Sequence, residues 1–442
     1  MKLKKLVSCF AAVVLGAAML SSAAAADEAS KDLSADISLW TYPVGSWGDE
    51  ASIQALISDF NAEYPNVNVS VQLLDYANGD DQVNTAIEGG NAPDLIFEGP
   101  ERLVANWGAK GLMVDLSDLW DDTAKAEISQ NVESACRNKD GVYYEFPVCM
   151  TAHCMAVNRE VFEAADALKY LDEETHTWTT ENFLKAVSAV YDYRASQGED
   201  GATVGAIYCN GQGGDQGTRA LINNLYGGKF TNEEHTEYTA NSEENIKALQ
   251  AIVDQDGLNF DASIVGGDEI SLFVNQTFSM AFCWSVGAQT AHQGVDADFT
   301  ILPMTFASDD GVPELCGGIW GFGIFDNGDA DRIAAAKAFI SFLNGSAEEY
   351  TKAVKTSTYF PVRDAVAGED VSQMYEGDEI MSTFSSFMQY FGDYYQVTAG
   401  WAEARTAWWN MLQQIGSGGD ITEAVTLFDE TANAAASAAM AQ

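Results

Sequence analysis

From Ile37 onward the apolar residues switch between a two-residue and a 3.6-residue period, and that alternation confines the chain to folds that stack helices on a sheet. Ile37 and Leu39 open a strand, and Ile53, Leu56, Ile57 and Phe60, at i, i+3, i+4 and i+7, line one face of a helix. Val67, Val69, Val71 and Leu73 then alternate as a half-buried strand. The breaker cluster Gly89-Gly90-Asn91-Ala92-Pro93 ends a helix and leads into the strand Asp94-Leu95-Ile96-Phe97. Further helices are predicted around Phe183, Val187, Val190 and Tyr191, around Ile333, Ala336, Ile340 and Leu343, and around Trp401, Arg405, Trp408, Leu412 and Ile415. Asp420 and Glu423 form a capping box for a last helix, with Ile421, Val425 and Phe428 turned inward. Residues 209–219 and the acidic run Glu233–Glu244 read as loops, and there is no internal repeat or coiled-coil pattern. At 442 residues this is an α/β chain of two or three domains with real cores.

The first residues carry a different pattern. Lys2, Lys4 and Lys5 precede the apolar run Leu6–Leu20, and the small residues Ser21–Ala26 follow, in the order of a Sec signal peptide. That run of 15 residues is too short to span a bilayer. Cleavage after Ala26 leaves Asp27 first and a mature, exported, soluble chain. Leu6-Val7-Ser8-Cys9 resembles a lipoprotein cleavage box, but more apolar sequence follows it, so Cys9 is assigned to the discarded segment. Loss of the three lysines takes the 22 basic residues to 19, against 66 acidic ones. Such a balance excludes a nucleic-acid partner and docking on anionic lipid, both of which need clustered Lys and Arg.

Catalytic signatures are missing. There is no G-x-S-x-G, S-x-x-K, H-E-x-x-H or G-x-x-x-x-G-K-[ST]. Gly211-Gln212-Gly213-Gly214-Asp215-Gln216 has Gln where a dinucleotide loop needs its third glycine. His153, His176, His235 and His292 are scattered, and Asp326–Asp331 resembles a calcium loop without its closing glutamate, so it reads as a turn with a helix cap. The remaining cysteines, Cys136, Cys149, Cys154, Cys209, Cys283 and Cys316, show no C-x-x-C; they permit three bridges, but the chain is long enough to need none, and buried thiols are expected. No catalytic residue, cofactor or metal is therefore assigned.

What the chain has in excess is aromatic side chains beside carboxylates where predicted strands end. Ligands of open α/β sheets bind beyond the carboxyl ends of the strands. The residues there are Trp40, Tyr42 and Trp47, then Glu98 and Glu101, then Trp284. Rings stack on the apolar faces of sugars while carboxylates accept from hydroxyls, so this set suits a neutral polyol. Trp408 and Trp409 are expected to be structural.

Several stretches together resemble the extracellular solute-binding proteins of ABC importers, in the carbohydrate-binding group that includes maltodextrin-binding proteins. They are Gly89–Phe97, Asp140–Pro147 leading to Val157–Phe162, Thr177–Phe183, Gly317-Gly318 with Ala336–Leu343, and Phe360–Arg363. The resemblance implies a two-lobed, type II periplasmic-binding-protein fold with the ligand in the cleft. Three crossings are implied, near Met150, Pro303 and Tyr350, giving an N-terminal lobe of 27–150 and 303–350 and a C-terminal lobe of 151–302 and 351–442. It implies ligand contacts at Trp40, Tyr42, Glu98 and Glu101, at Asp215 in the second lobe, and at Trp401, whose W-x-x-x-R-T-A spacing is that of the cleft tryptophan of maltodextrin binders. Glu98 departs from that pattern by replacing a stacking ring, and Trp284 lacks the family's small-Gly-x-Trp context. Trp320 and Tyr359 stand at loop positions where some relatives touch ligand, and Arg363 with Arg405 would serve an acidic or phosphorylated solute.

The resemblance implies capture without chemistry: a monomeric protein outside the cytoplasm closes on a carbohydrate and presents it to a membrane permease. A glycerol-phosphate-type solute is the alternative within that reading. A secreted glycosidase, which would release product from an oligosaccharide, and an adhesin, which no small ligand would stabilise, are the alternatives outside it.

Overall fold

The computed structural model describes residues 31–75, 78–199, 201–211 and 214–441. The leader with Cys9 lies outside the described residues, as do Gln212 and Gly213.

Two sheets organise the chain. The first has six strands in the order β11-β4-β10-β3-β1-β2, where β1 is Ala35–Thr41, β2 Val67–Leu73, β3 Leu95–Glu98, β4 Phe146–Ala152, β10 Gly317–Ile324 and β11 Phe360–Pro361. β1 runs parallel to both β2 and β3, pairing Leu39 with Leu95, while β10 runs antiparallel between β3 and β4. The second sheet joins β5 (Cys154–Asn158) to β8 (Met280–Trp284) and β9 (Ile301–Met304). Beside it β6 (Gly205–Asn210) pairs parallel with β7 (Leu258–Val265), and the amides of Ser279 and Met280 bond to the Val204 carbonyl at 2.8 and 3.1 Å, continuing the sheet.

The predicted elements form where the periodicity places them, but the expected loops are shorter: β6 runs to Asn210, a helix already starts at Gln216, and Glu243 opens the helix Glu243–Asp254. Ile53, Leu56, Ile57 and Phe60 are buried on the inner face of the helix Glu50–Glu63, which begins where Asp49 accepts from the Ser52 amide at 2.9 Å. Phe60 meets Phe339 and Phe342 of the helix Ala330–Asn344 edge-on, at 5.1 and 5.6 Å. Alternation along β3 sends Leu95 and Phe97 into this core and Ile96 into a second one on the other face, with Tyr42, Val83, Leu103 and Trp107. The Asp326–Asp331 segment is a turn whose Asp329 caps that same helix, and Asp420 caps the last one, Ile421–Met440, by accepting from the Glu423 amide at 2.9 Å. All six described cysteines are free and buried.

Strand pairing fixes where the chain passes between sheets. Ala152 pairs with Gly317 in the first sheet and Cys154 with Trp284 in the second, so His153 alone makes the first passage, three residues beyond Met150. Pro303 lies inside β9 opposite Ala156, and the chain stays bonded to the second lobe through Thr305, Ser308 and Glu314, so the second passage is completed only at Cys316, before Gly317 joins the first sheet. Tyr350 belongs to the body of the first lobe, with its hydroxyl donating to the Val148 carbonyl at 2.9 Å. The chain stays with that lobe through β11, so the third passage falls between Pro361 and the helix Glu379–Phe387. The second passage is thus completed 13 residues after Pro303 and the third begins 11 residues or more after Tyr350, because partners in the sheets are set by contacts distant in sequence.

Candidate functional site

At the carboxyl ends of β1 and β3, Thr41 pairs with Phe97 and the chain continues into Tyr42 and Glu98. A sharp turn at Gly99 follows; a β-carbon there would come within 2.6 Å of Glu101 Oε2 and 2.9 Å of the Ile319 carbonyl. One helical turn brings Arg102 back over Glu98, at i+4. Its guanidinium holds Asp80 with two bonds of 2.8 and 3.1 Å and Glu98 with one of 2.6 Å, and lies 3.6 Å from Glu101 and 5.2 Å from the centre of the Tyr42 ring. The Tyr42 hydroxyl donates to Asp80. A π-helical turn, Leu103–Gly108, continues directly from this cluster.

Burial dominates the ionisation of Glu98. Only 1% exposed, its carboxyl is pushed up to about 8, with the opposing pull of Arg102 outweighed. Asp80 is also desolvated, yet the hydrogen bonds and charge of Arg102 hold it below the ordinary carboxylate range. Behind Glu98 stands Glu145, fully buried, with neither carboxyl oxygen hydrogen-bonded. Its Oε1 occupies the space a side chain at Gly321 would need, 2.8 Å from that β-carbon position, and Gly321 pairs with Glu98 across β10 and β3. Burial, with the charges of Glu101 and Glu98, raises Glu145 well above the usual carboxylate range.

A second cluster is built on the other lobe. Asp215 is fully buried just before the helix Gln216–Tyr226; Arg405 grips it at 2.7 and 2.9 Å, and Arg219 approaches to 2.9 Å. Burial opposes the Asp215 charge, but Arg219 and Arg405 together hold its pKa down. Arg219 lies 4.8 Å from the centre of the Trp401 ring. Gly400 starts the Trp401 helix at φ 72°, where a β-carbon would meet the Ala436 amide at 2.6 Å, so only glycine fits.

Two consecutive tyrosines join the clusters. Tyr394 donates to Glu101 at 2.8 Å in the first, and Tyr395 accepts from Arg219 at 3.2 Å in the second. The structure therefore brings Tyr42, Glu98 and Glu101 together, with Trp40 half-buried next to them, and draws Asp215 and Trp401 together opposite. Trp320 lies within β10, paired with Cys149, rather than in the expected loop, and stacks on Tyr359 at 5.0 Å, both half-buried. Trp47 is fully buried, stacked on Phe97 at 4.4 Å, in the interior of the first lobe. Trp284 is buried in the second, its indole N–H donating to Gln289 at 2.8 Å. Arg363 is buried too, bonded to Glu127 at 3.1 Å and to the Asn344 carbonyl at 2.7 Å. These three are enclosed by the fold; Tyr42, Glu98 and Asp215 have no more exposed surface, and of the predicted residues in the two clusters Trp40, Glu101 and Trp401 are the half-buried ones.

Sequence reasoning did not single out Asp80, Glu145, Arg219, Tyr394 or Tyr395. The i,i+4 spacing of Glu98 with Arg102 and of Asp215 with Arg219 is the signal that was available; nothing local marks the two tyrosines. Among the described residues no group of three or more His, Cys, Asp or Glu could hold a metal ion, and no helix is long and apolar enough to cross a membrane.

A family model of the bacterial extracellular solute-binding proteins matches residues 55–383. No curated protein matches the chain. Among solved structures, the cyclic α-maltosyl-1,6-maltose binding protein from Arthrobacter globiformis is similar with a TM-score of 0.72 at 19% identity, over 91% of this chain and 99% of that one. The GacH receptor of Streptomyces glaucescens, solved unliganded and with acarbose, matches with a TM-score of 0.66 at 17% identity, over 90% and 97%. UgpB from Mycobacterium tuberculosis, in complex with glycerophosphocholine, matches at 0.67 and 17%, over 92% and 99%. At these identities the likeness is one of fold.

Proposed function

The chain belongs to the bacterial extracellular solute-binding proteins, and on that footing we propose that it captures a carbohydrate between its two lobes and hands it, unaltered, to an ABC permease. In this reading the protein is exported by the Sec route, works as a soluble monomer outside the cytoplasm, and has no catalytic function.

The observation that carries a neutral sugar over an acidic solute is the state of the cations. Arg102 is engaged by Asp80, Glu98 and Glu101, Arg405 and Arg219 by Asp215, and Arg363 by Glu127. Each guanidinium near the two clusters is in contact with a buried or half-buried carboxylate, although Arg219 and Arg405 share the single one of Asp215, so a phosphate would have to compete with an internal ion pair to be bound. The half-buried Trp401 and Trp40 rings supply apolar faces on which a sugar ring can stack. A solute that touches both lobes favours the closed arrangement by its difference in affinity for the two forms, and the permease reads that form.

The test is a thermal-shift and tryptophan-fluorescence screen against mono-, di- and oligosaccharides, with glycerophosphodiesters alongside. A saccharide that raises the melting temperature and shifts the emission supports the reading. A response to glycerophosphodiesters alone transfers it to phosphorylated solutes, and release of product from an oligosaccharide overturns it in favour of a glycosidase.

A further inference from the structure

A cavity of about 310 Å³ lies on the far side of Tyr395 from the second cluster, behind the second passage between the lobes. Its walls are the carboxyl-terminal end of the helix Gln216–Tyr226, the loop through Thr231, the passage residues Ser308–Cys316, and Asp393 with Tyr395. Asp215 begins that helix, and the lining runs from Ala220, about 8 Å along it at 1.5 Å per residue, to its far end at Tyr226. Tyr395 is shared with the second cluster, but Asp215, Arg219, Trp401 and Arg405 do not line the cavity.

Acceptors dominate the lining. Thr231 is only 6% exposed and its Oγ1 has no hydrogen-bond partner, nor has the buried Oδ1 of Asn223. A buried polar atom left without a partner is costly, which points to a guest that supplies donors. Four carboxylates, Asp309, Asp310, Glu314 and Asp393, surround the space against the single cation Lys229, which is already held by Glu314 at 2.5 Å. Glu314 Oε1 accepts from the Asp393 amide, the Asp393 carboxylate meets His235, and Asp310 Oδ1 accepts from the Val312 amide. Val312 stands at the rim with 65% of its surface exposed, and Phe230 and Leu315 give the interior apolar wall.

We propose that this cavity binds a small aliphatic ammonium compound, separate from the solute of the cleft: its cationic end meets the Asp309 and Asp310 carboxylates and its donors reach Thr231 Oγ1 and Asn223 Oδ1, while its alkyl chain lies along Val312 and Leu315. A neutral polyol could use the acceptors but would gain nothing from the carboxylates, and an anion is repelled by them.

Calorimetric titration of the purified protein with 1,4-diaminobutane, and with its neutral isostere butane-1,4-diol, tests this. The expected result is one saturable site for the diamine and none for the diol. The double variant Asp309→Asn/Asp310→Asn should weaken the diamine about tenfold or more, as expected for loss of charge-assisted hydrogen bonds. Thr231→Val should weaken it as well. Glu376→Gln/Glu379→Gln, which removes the same charge from an exposed segment elsewhere, should leave binding unchanged. Equal binding of the diol, equal weakening by the remote variant, an unaffected double variant, or no saturable heat each overturns the proposal. Saccharide response, followed separately by tryptophan emission, keeps the outcome independent of the reading of the cleft.

Discussion

The phenolic hydroxyl of Tyr394 donates to Glu101 Oε2 at 2.8 Å, joining residues 293 positions apart. Tyr394 is only 3% exposed, and burial followed by the charge of Glu101 raises its pKa well above the ordinary phenol value, so it donates at any physiological pH. The segment that reaches Arg219 through Tyr395 is thereby tied to the turn that follows β3. Tyr394→Phe should cost about 1 kcal/mol of stability, with a nearly unchanged circular dichroism spectrum, because the half-buried acceptor loses its donor while the ring still packs. Urea unfolding measures it, and an unchanged midpoint would remove this bond from any structural role.

Trp401 and Trp284 should respond to truncation in opposite ways. Trp401 is half-buried against Arg219, so Trp401→Ala should lower affinity for the best saccharide by about 2 kcal/mol, on the order of thirtyfold, and leave the melting temperature nearly intact. Trp284 has no exposed surface, so Trp284→Ala should destabilise the fold by about 3–5 kcal/mol. Unchanged saccharide affinity in Trp401→Ala would move the site elsewhere.

Glu98 makes stability depend on pH with a definite sign. Its folded pKa of about 8 exceeds the unfolded value of 4.5, so the folded chain keeps a proton that the unfolded chain has lost. Stability is fully present below about 4.5 and declines as pH rises through about 8, by about 1.4 kcal/mol per pH unit inside that window. Glu145 is raised in the same direction, and so is Glu269, pushed up to about 8 by burial. Asp80, held low by Arg102, has the opposite sign, and its contribution is lost only as pH falls below the ordinary carboxylate range. Glu98→Gln should therefore flatten, without abolishing, the decline between about pH 5 and about pH 8 in urea unfolding. An identical slope in variant and parent would refute the burial argument.

Gly321→Ala should be disproportionately harmful for one methyl group. Its β-carbon would lie 2.3 Å from the Phe146 carbonyl oxygen and 2.6 Å from Pro147 Cα, both backbone, as well as against Glu145 Oε1. Overpacking of this kind costs about 1–3 kcal/mol, readable as a lowered melting temperature. A melting temperature equal to that of the parent would show that the strand relaxes around the methyl group.

The cysteines give a chemical check. Cys136, Cys149, Cys154, Cys209, Cys283 and Cys316 are all free and buried. A thiol reagent should find almost none of them in the native protein and all of them once the protein is unfolded without reductant. A shortfall after unfolding would mean that bridges form in the mature chain.

The strand and helix rhythm was legible because each element advertises its inner face locally, as Ile53, Leu56, Ile57 and Phe60 do. Passages between the lobes were less so, since Pro303 becomes a strand residue only by pairing with Ala156, far away in sequence. Of the candidate site, Tyr42, Glu98 and Glu101 were reachable because strand ends are readable. Trp47 misleads for a local reason: the turn at Gly45, with φ 53°, approaches Ser357 so closely that a β-carbon would lie 2.1 Å from its carbonyl oxygen, and the following indole is drawn inward onto Phe97. Arg363 looked available for an anion, and only the folded chain reveals Glu127 and Asn344 beside it.

The single-residue link at His153 has a mechanical consequence. Ala152 is fastened to Gly317 on one side and Cys154 to Trp284 on the other, and the His153 amide itself bonds to the Cys316 carbonyl at 2.9 Å. No slack exists at that thread, and the second connection crosses right beside it at Cys316; the third, between Pro361 and the helix Glu379–Phe387, has more than a dozen residues to bend. Any swing of one half against the other therefore has its axle near His153, and the torsion it demands falls on the backbone angles of that histidine.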